Sequence, residues 1–208
     1  MMPDAIHVLF ATLSAACPQP QMGLVYASHF ELLVAVMLSA QATDVSVNRV
    51  TPGLFQAANT PAKMLQLGLP ALTEHLRPIG LYHSKARHLM QTCQILVERH
   101  DGRMPSTRAD LQALPGVGRK TANVVLNAAF GQPVVAVDTH IFRLCNRTGL
   151  APGRTPEAVE MMLYQRVPPE FLMNAHLWLI GHGRHVCQAR RPRCAQCNVA
   201  SVCDFETG

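Results

Sequence analysis

The chain has 208 residues, of which 49% are apolar and 15% are charged, with 18 Lys and Arg against 13 Asp and Glu. A chain this long and apolar can bury a core, which excludes an intrinsically disordered protein and a miniature protein held together by disulfides. The net charge of +5 suits a polyanionic partner, and most of the excess lies in residues 106–208, which carry 11 basic and 7 acidic side chains.

Signals for helix starts recur along the chain, and the alternation typical of strands is almost absent. A capping box at Ser28–Glu31 precedes the apolar run 32–38, which predicts a buried helix. A helix is expected over 85–100, because Gly102 follows as a stop signal. Further helix starts are predicted at Asp44, Thr60-Pro61, Ser84, Ser106, Thr155-Pro156 and Pro168-Pro169. The pattern predicts an all-α chain of about ten helices.

Two short helices are predicted around a glycine-rich break. Ser106 begins the first, which runs to Leu114; Pro115–Gly118 interrupts the chain; and the second covers 119–130. Glycines at 116 and 118 permit positive φ and close backbone approach, and the following helix offers free N–H groups and the positive end of its dipole. This geometry can bind a phosphate, although a plain helix–helix turn would leave the same pattern.

Two charged side chains follow this break. Lys120 lies in the first turn of a helix, where the helix dipole and the neighbouring Arg119 both favour the neutral amine. A neutral amine can act as a nucleophile, and the alternative role is an ordinary phosphate contact. Asp138 follows the apolar run 133–137, which we interpret as a buried connector. Its position before Thr139 predicts a helix N-cap at the wall of a cleft.

Four of the seven cysteines fall within 17 residues near the C-terminus. They are Cys187, Cys194, Cys197 and Cys203. An odd total with one dense group argues against a disulfide framework and for a metal site in a reducing compartment. Four thiolates can bind a tetrahedral zinc ion or a [4Fe–4S] cluster, and a single CxxC flanked by lone cysteines favours the cluster. Cys17, Cys93 and Cys145 are expected to be core residues.

The longest gap of the cysteine loop carries three arginines: Arg190, Arg191 and Arg193. No acidic residue lies between Glu170 and Asp204 in the sequence. A metal that fixes a short loop could present these guanidinium groups to phosphates, while the alternative is that they only keep a tail in solution.

These motifs together resemble the endonuclease III DNA glycosylases of the helix-hairpin-helix superfamily. Residues 114–122 resemble the family hairpin, 137–140 the segment with its catalytic aspartate, and the cysteines of 187–203 its [4Fe–4S] loop. Residues 38–44 and 79–82 resemble its two DNA-probing loops. The motifs occur in the family's order over nearly the whole chain, which makes the joint match specific.

The resemblance implies an all-α fold in which two helical domains flank a DNA-binding cleft. One domain would cover 21–132 and end in the helix-hairpin-helix motif at about 106–131. The other would join 1–20 to 133–208 and hold the iron–sulfur loop. The partner would be double-stranded DNA containing damaged pyrimidines or abasic sites. We expect no membrane segment, because the longest apolar stretch is too short to cross a bilayer. The cysteine pattern and the lack of a basic signal-peptide region favour a cytoplasmic protein, and we expect a monomer because a lesion scanner needs no two-fold symmetry.

The same resemblance implies base excision by a bifunctional enzyme. Lys120 would be the nucleophile that releases an oxidised pyrimidine and forms a Schiff base, and Asp138 its acid–base and electrostatic partner. Gln41 would fill the gap left by the flipped nucleotide, and Leu81 would wedge at the opposite strand. The hairpin residues Gly116, Gly118 and Arg119 and the three loop arginines would bind phosphates, while the four clustered cysteines would hold the [4Fe–4S] cluster.

Some positions depart from the family pattern: His83, Gly181 and His185 stand where other residues are usual. His83 follows the expected wedge, so the choice of lesion and opposite base is open. Two other classes fit parts of the sequence. An adenine-specific mismatch glycosylase shares the fold and cluster but lacks a lysine at the position of Lys120. A DNA-binding protein without catalysis or an iron–sulfur electron carrier would need neither Lys120 nor Asp138.

Overall fold

Ten α-helices and two short 3-10 helices make up the regular structure of residues 1–205, the part of the chain that the computed structural model describes. The α-helices are α1 (Pro3–Ala16), α2 (His29–Leu38), α3 (Asp44–Ala57), α4 (Pro61–Leu76), α5 (Tyr82–His100), α6 (Arg108–Gln112), α7 (Arg119–Phe130), α8 (Thr139–Thr148), α9 (Pro156–Arg166) and α10 (Pro169–His185). The 3-10 helices are Cys194–Gln196 and Ala200–Val202. Residues 1–205 contain no β-strand, so the all-α prediction is confirmed.

The chain divides into two compact units. Met22–Phe130 forms the first, with helices α2 to α7. Met1–Gln21 and the chain from Gly131 onward form the second, with α1, α8, α9, α10 and both 3-10 helices.

Helix α2 lies at the centre of the first unit. It packs against α3, α5 and α7, while α4 packs along α5. Every residue from Phe30 to Leu38 is buried, and Leu32 to Ala35 are fully inaccessible to solvent. A helix with no polar face is expected in such a place, because burial of apolar area stabilises a fold by about 25 cal/mol per Å². The predicted cap also forms: Ser28 accepts a hydrogen bond from the Glu31 N–H at 3.1 Å.

The core of the second unit forms where α10 packs against α1 and α8. Phe10, Leu144 and Leu179 are almost fully buried within it. The indole of Trp178 donates a hydrogen bond to the carbonyl of Cys17 at 2.8 Å, which fixes the end of α1. Residues 133–137 form the expected connector, in which the last three residues are buried.

Most predicted helix starts are confirmed, and two are displaced. Helix α3 begins at Asp44 as predicted, but Thr43 and not Asp44 caps it, because the Thr43 Oγ1 accepts from the Ser46 N–H at 3.2 Å. Thr107, not Ser106, caps α6 and accepts from the N–H of Asp110 at 3.2 Å. In both cases the hydroxyl that caps is the one three residues before its donor, as the geometry of an N-cap requires. Helix α6 also ends at Gln112, two residues before the predicted Leu114.

The start of α5 is the largest displacement. The helix begins at Tyr82, after Leu81 in a left-handed conformation with φ of 60°. Ser84 lies inside the first turn and donates to the carbonyl of Leu81 at 2.9 Å, so it does not cap the helix. The predicted end at His100 is confirmed, and Gly102 follows with φ of 73°.

Two of the three scattered cysteines are core residues as predicted. Cys93 and Cys145 are fully buried, and burial raises the pKa of both thiols, that of Cys93 to about 12. The prediction for Cys17 was wrong, because it follows the last residue of α1 and its side chain is exposed. Within residues 1–205, no helix has the length and hydropathy to cross a membrane.

Candidate functional site

The glycine-rich hairpin between α6 and α7 is seated on α5. Thr92 of α5 donates to the carbonyl of Pro115 at 3.0 Å. Gly116 has φ of 79°, and a Cβ placed there would lie only 3.0 Å from the Cβ of His88. Glycine is therefore required at 116 for both conformation and space. The sequence predicted the same freedom at Gly118, but there the structure does not use it. The φ of Gly118 is not positive, and a Cβ placed there would meet open space.

Helix α7 begins at Arg119 and ends at Phe130, as the sequence predicts. Lys120 is its second residue, and its side chain is exposed at the end of the helix that carries free N–H groups. Helix α7 has no acidic residue in its first turn. The amine of Lys120 is therefore accessible to solvent just after the hairpin. At this position it can either bind a phosphate or act as a nucleophile.

The two predicted probing residues share an unusual backbone. Gln41 has φ of 56° and Leu81 has φ of 60°, and both side chains are exposed. Both line one pocket of about 240 Å³, and Gly116 of the hairpin lines it too. Left-handed conformations of residues other than glycine cost about 1–3 kcal/mol and cluster at functional sites. The first unit therefore brings both probing residues and the hairpin glycine to a single pocket.

The polar residues of that pocket were not among the predicted site residues. Ser84, Lys85 and His88 of α5 line it beside the three predicted residues. Lys85 is buried, its ammonium donates to the carbonyl of Leu38 at 2.9 Å, and burial lowers its pKa. The position of Lys85 one helical turn after Leu81 was the available signal, because residues four apart share a helix face.

Asp138 forms the predicted N-cap of α8. Its Oδ1 accepts hydrogen bonds from the N–H groups of His140 and Ile141, both at 2.9 Å. Both bonds use the same oxygen, so Oδ2 takes no part in the cap. The carboxylate is half-buried, and the positive end of the helix dipole stabilises its charge. Asp138 belongs to the second unit and Lys120 to the first.

The four clustered cysteines face one pocket of the second unit. All four are free thiols; Cys187 is buried and the other three are half-buried. Burial raises the pKa of Cys197 and Cys203, a backbone hydrogen bond to each sulfur offsets part of the rise, and the charges of the neighbouring loop thiols add to it. A cationic metal group would relieve this repulsion, so the donor set fits a group held by four thiolates. Among residues 1–205, no three His, Cys, Asp or Glu side chains converge tightly enough for a single metal ion.

Two arginines of α8 hold the cysteine loop, and neither was among the predicted site residues. Arg147 donates to the carbonyls of Gln188 and Ala189 at 2.7 and 3.0 Å, and lies over the ring of Phe205. Arg143 donates to the carbonyls of Gly183 and Cys187. Their spacing of four residues places both guanidinium groups on one face of α8, and that pattern was the available signal.

One histidine also lines the cysteine pocket. His182 is buried, which lowers its pKa, and its Nε2 lies 3.5 Å from the Sγ of Cys197. His185, one of the departures from the family pattern, is exposed instead. A Cβ at Gly181 would meet open space, so no contact requires glycine there. The three loop arginines, Arg190, Arg191 and Arg193, are all exposed, which leaves their guanidinium groups accessible to an anion.

The chain is similar to known proteins of base excision repair. Residues 34–169 match the family model described as HhH-GPD superfamily base excision DNA repair protein. The chain is 57% identical to endonuclease III of Escherichia coli (strain K12) over 189 residues, covering 91% of this chain and 90% of that protein. It is 48% identical to endonuclease III of Rickettsia conorii over 205 residues, covering 99% and 98% respectively.

Solved structures show the same similarity. A trapped covalent intermediate of endonuclease III with DNA matches with a TM-score of 0.92 and 38% identity, over 98% of this chain and 96% of that one. A thermostable thymine-DNA glycosylase shares the fold, with a TM-score of 0.87, 21% identity and coverage of 97% and 96%. The chain therefore belongs to the HhH-GPD superfamily of base excision repair proteins and, within it, to the endonuclease III family.

Proposed function

We propose that this protein is a bifunctional DNA glycosylase that releases oxidised pyrimidines from duplex DNA and cleaves the abasic site left behind. The base-excision glycosylase and lyase activities follow from its place in the endonuclease III family. The observation that carries the proposal is the match, over 98% of the chain, to an endonuclease III trapped as a covalent intermediate with DNA. A covalent intermediate needs a nucleophile, and Lys120 supplies an exposed amine beside the hairpin.

Lys120 carries out the bond-breaking steps in this mechanism. Its neutral amine attacks C1′ of the damaged nucleotide, and the bond from C1′ to the base breaks. The base leaves with the electron pair and takes up a proton. The sugar ring opens to a protonated Schiff base on Nζ, which acidifies the C2′–H bond. Loss of that proton expels the 3′ phosphate by β-elimination, and water then hydrolyses the imine and frees the lysine.

Asp138 supplies negative charge to the same reaction. Positive charge develops on the sugar as the base leaves, and the carboxylate stabilises it and accepts a proton in the elimination. The two hydrogen bonds from the start of α8 fix the carboxylate, so little reorganisation is needed when the substrate arrives. We assign this role to Oδ2, since Oδ1 accepts both hydrogen bonds of the cap.

The other matched residues bind and distort the DNA. Flipping a nucleotide costs a few kcal/mol, least for a damaged base. Gln41 occupies the space that the nucleotide leaves, and Leu81 wedges at the opposite strand. Gly116 and Gly118 offer N–H groups to a phosphate and Arg119 its guanidinium. Arg190, Arg191 and Arg193 bind the backbone further along.

The four cysteines, Cys187, Cys194, Cys197 and Cys203, hold a [4Fe–4S] cluster in this proposal. When bound, the cluster supplies covalent links between the ends of the loop and thereby fixes its arginines. Thiolate ligands and free buried thiols persist in a reducing compartment, which supports a cytoplasmic location. We further infer a monomer, because a base-excision site on one chain needs no two-fold partner.

Reduction with borohydride tests the proposal. Duplex DNA with one oxidised pyrimidine, incubated with the protein and borohydride, is expected to give a covalent adduct on a denaturing gel. Lys120→Ala is expected to abolish the adduct. Lys63→Ala, which removes another exposed lysine of the same unit, is expected to keep it. A wild-type protein that binds the duplex but gives no adduct on lesion or abasic DNA would refute the lyase assignment. That result would favour an adenine-specific or non-catalytic DNA-binding protein.

A further inference from the structure

A buried cation joins the two loops that carry Gln41 and Leu81. Lys85 lies in the first turns of α5, is only 9% exposed, and donates from Nζ to the carbonyl of Leu38 at 2.9 Å. Leu38 is the last residue of α2 and lies 47 positions earlier in the chain. The Lys85 side chain thus links α5, which follows the loop with Leu81, to α2, which precedes the loop with Gln41.

Burying the ammonium of Lys85 costs hydration free energy, which an apolar side chain at this position would not lose. Burial lowers the pKa of Lys85, which shows that its ammonium form loses hydration here. The carbonyl end of α2 offsets part of this cost, because a helix C-terminus carries partial negative charge. A buried apolar side chain would fill the same space without this loss of hydration, so filling space does not account for a lysine here.

Both ends of this link lead directly to a strained residue. Past Leu38 the chain turns, with the N–H of Ala42 bonded to the carbonyl of Ser39 at 3.1 Å, and this turn contains Gln41. On the other side, the carbonyl of Leu81 accepts from the N–H of Lys85 at 3.0 Å. Gln41 and Leu81 are two of only three residues other than glycine with positive φ in the described chain. Such conformations persist where surrounding contacts hold them.

The space between the two turns is a pocket of about 240 Å³. Gln41 and Leu81 line it together with Ser84, Lys85, His88 and Gly116. None of the described residues that line it is an Asp or Glu. The charge of Lys85 is therefore not neutralised by a carboxylate of the pocket wall, and the field at the pocket favours an approaching nucleic acid.

We propose that Lys85 is a positioning residue, which holds the Gln41 turn and the Leu81 turn in one fixed arrangement so that both side chains enter the duplex together. This inference rests on the proposed function, because it presumes that both residues separate the strands at a lesion. Without the link, each turn can move independently, and DNA still binds but the base opposite the lesion stays stacked.

Fluorescence of 2-aminopurine tests the proposal at equilibrium. The probe is placed opposite a stable abasic analogue in a duplex, and its emission rises when the protein unstacks it. At saturating protein, the wild type is expected to give the full rise and Lys85→Met less than half of it. Lys63→Met, at an exposed lysine of the same unit, is expected to match the wild type. Base release from a lesion duplex is expected to fall about 10- to 100-fold in Lys85→Met, as small misplacements near a reacting group do.

Lys85→Arg separates positioning from folding. Its guanidinium keeps a cation that can donate to the Leu38 carbonyl, so it is expected to restore most of the fluorescence rise, even if Lys85→Met proves too unstable to assay. A folded Lys85→Met with the full rise, a folded Lys85→Arg without it, or a wild type that gives no rise would each overturn the proposal. The proposed chemistry is judged separately, because borohydride trapping can fail while the fluorescence difference persists.

Discussion

The guanidinium of Arg143 donates through Nε and Nη2 to the carbonyl of Cys187, at 3.2 and 3.0 Å. Arg143 lies on α8, the helix that Asp138 caps, and Cys187 is the first of the four clustered cysteines. One helix therefore carries the proposed electrostatic residue at its start and holds the proposed cluster loop at its middle. The position of the loop and the position of the carboxylate are mechanically connected within the second unit.

Removal of this contact is expected to loosen the loop. Arg143→Ala leaves the carbonyls of Cys187 and Gly183 without a charged donor, and we expect a loss of about 1.5–3 kcal/mol in the free energy of unfolding. Urea denaturation measures this loss, and the iron content per chain shows whether the loop still holds its cluster. Arg154→Ala, at an exposed arginine of the same unit, serves as the control. Equal stability and equal iron content in the two variants would contradict the prediction.

Asp138→Asn is expected to separate capping from catalysis. Asparagine caps helices about as well as aspartate, so the free energy of unfolding should change by less than about 0.5 kcal/mol. Loss of the charge should slow single-turnover base release by about 10²–10³-fold. Asp138→Ala removes both roles and should additionally cost about 1 kcal/mol of stability. If Asp138→Asn keeps the wild-type rate, the carboxylate is only a cap.

The hairpin glycines are expected to respond differently to alanine. Gly116→Ala forces φ of 79° on a residue with a Cβ and brings it to 3.0 Å from His88, so a loss of about 1–3 kcal/mol is expected. Gly118→Ala meets open space and should change stability by less than about 0.5 kcal/mol. Urea unfolding of the pair provides the comparison. Equal losses in both variants would show that the left-handed conformation of Gly116 is not the cause.

The contribution of the loop arginines is expected to appear in the salt dependence of DNA binding. Arg191→Ala should weaken binding and reduce the slope of log K against log salt by about one unit, because one phosphate contact is lost. Arg154→Ala tests whether any exposed arginine of this unit has the same effect. An unchanged slope in Arg191→Ala would leave that arginine without a phosphate contact.

The three cysteines outside the loop are expected to differ in reactivity. Alkylation requires the thiolate, and burial raises the pKa of Cys93 to about 12 and that of Cys145 further, so both stay protonated and inaccessible at pH 8. Iodoacetamide should modify Cys17 in the folded, metal-loaded protein, as mass spectrometry can show, and Cys17→Ser should abolish this product. Modification of Cys93 without denaturant would contradict the burial of its side chain.

The helices, several of their caps and the residue types of the site were predictable from the amino-acid order alone. The caps at Ser28, Thr60, Thr155 and Asp138 and the helix over 119–130 follow local rules, because they depend on hydrogen bonds between residues two to four apart. The resemblance that identified the family also arose from short motifs in a fixed order.

Tertiary structure alone decided which distant groups meet. The bond from Lys85 to Leu38 and the bonds from Arg143 to Cys187 each join residues more than 40 positions apart. The left-handed start of α5 was not predicted from the sequence either. The exposure of Cys17 likewise depends on where α10 meets the end of α1. Local patterns carry no information about such pairings, because a side chain's burial and its partners depend on which elements pack together. The sequence therefore specified what each helix contains, and packing decided which distant carbonyl Lys85 and Arg143 each reach.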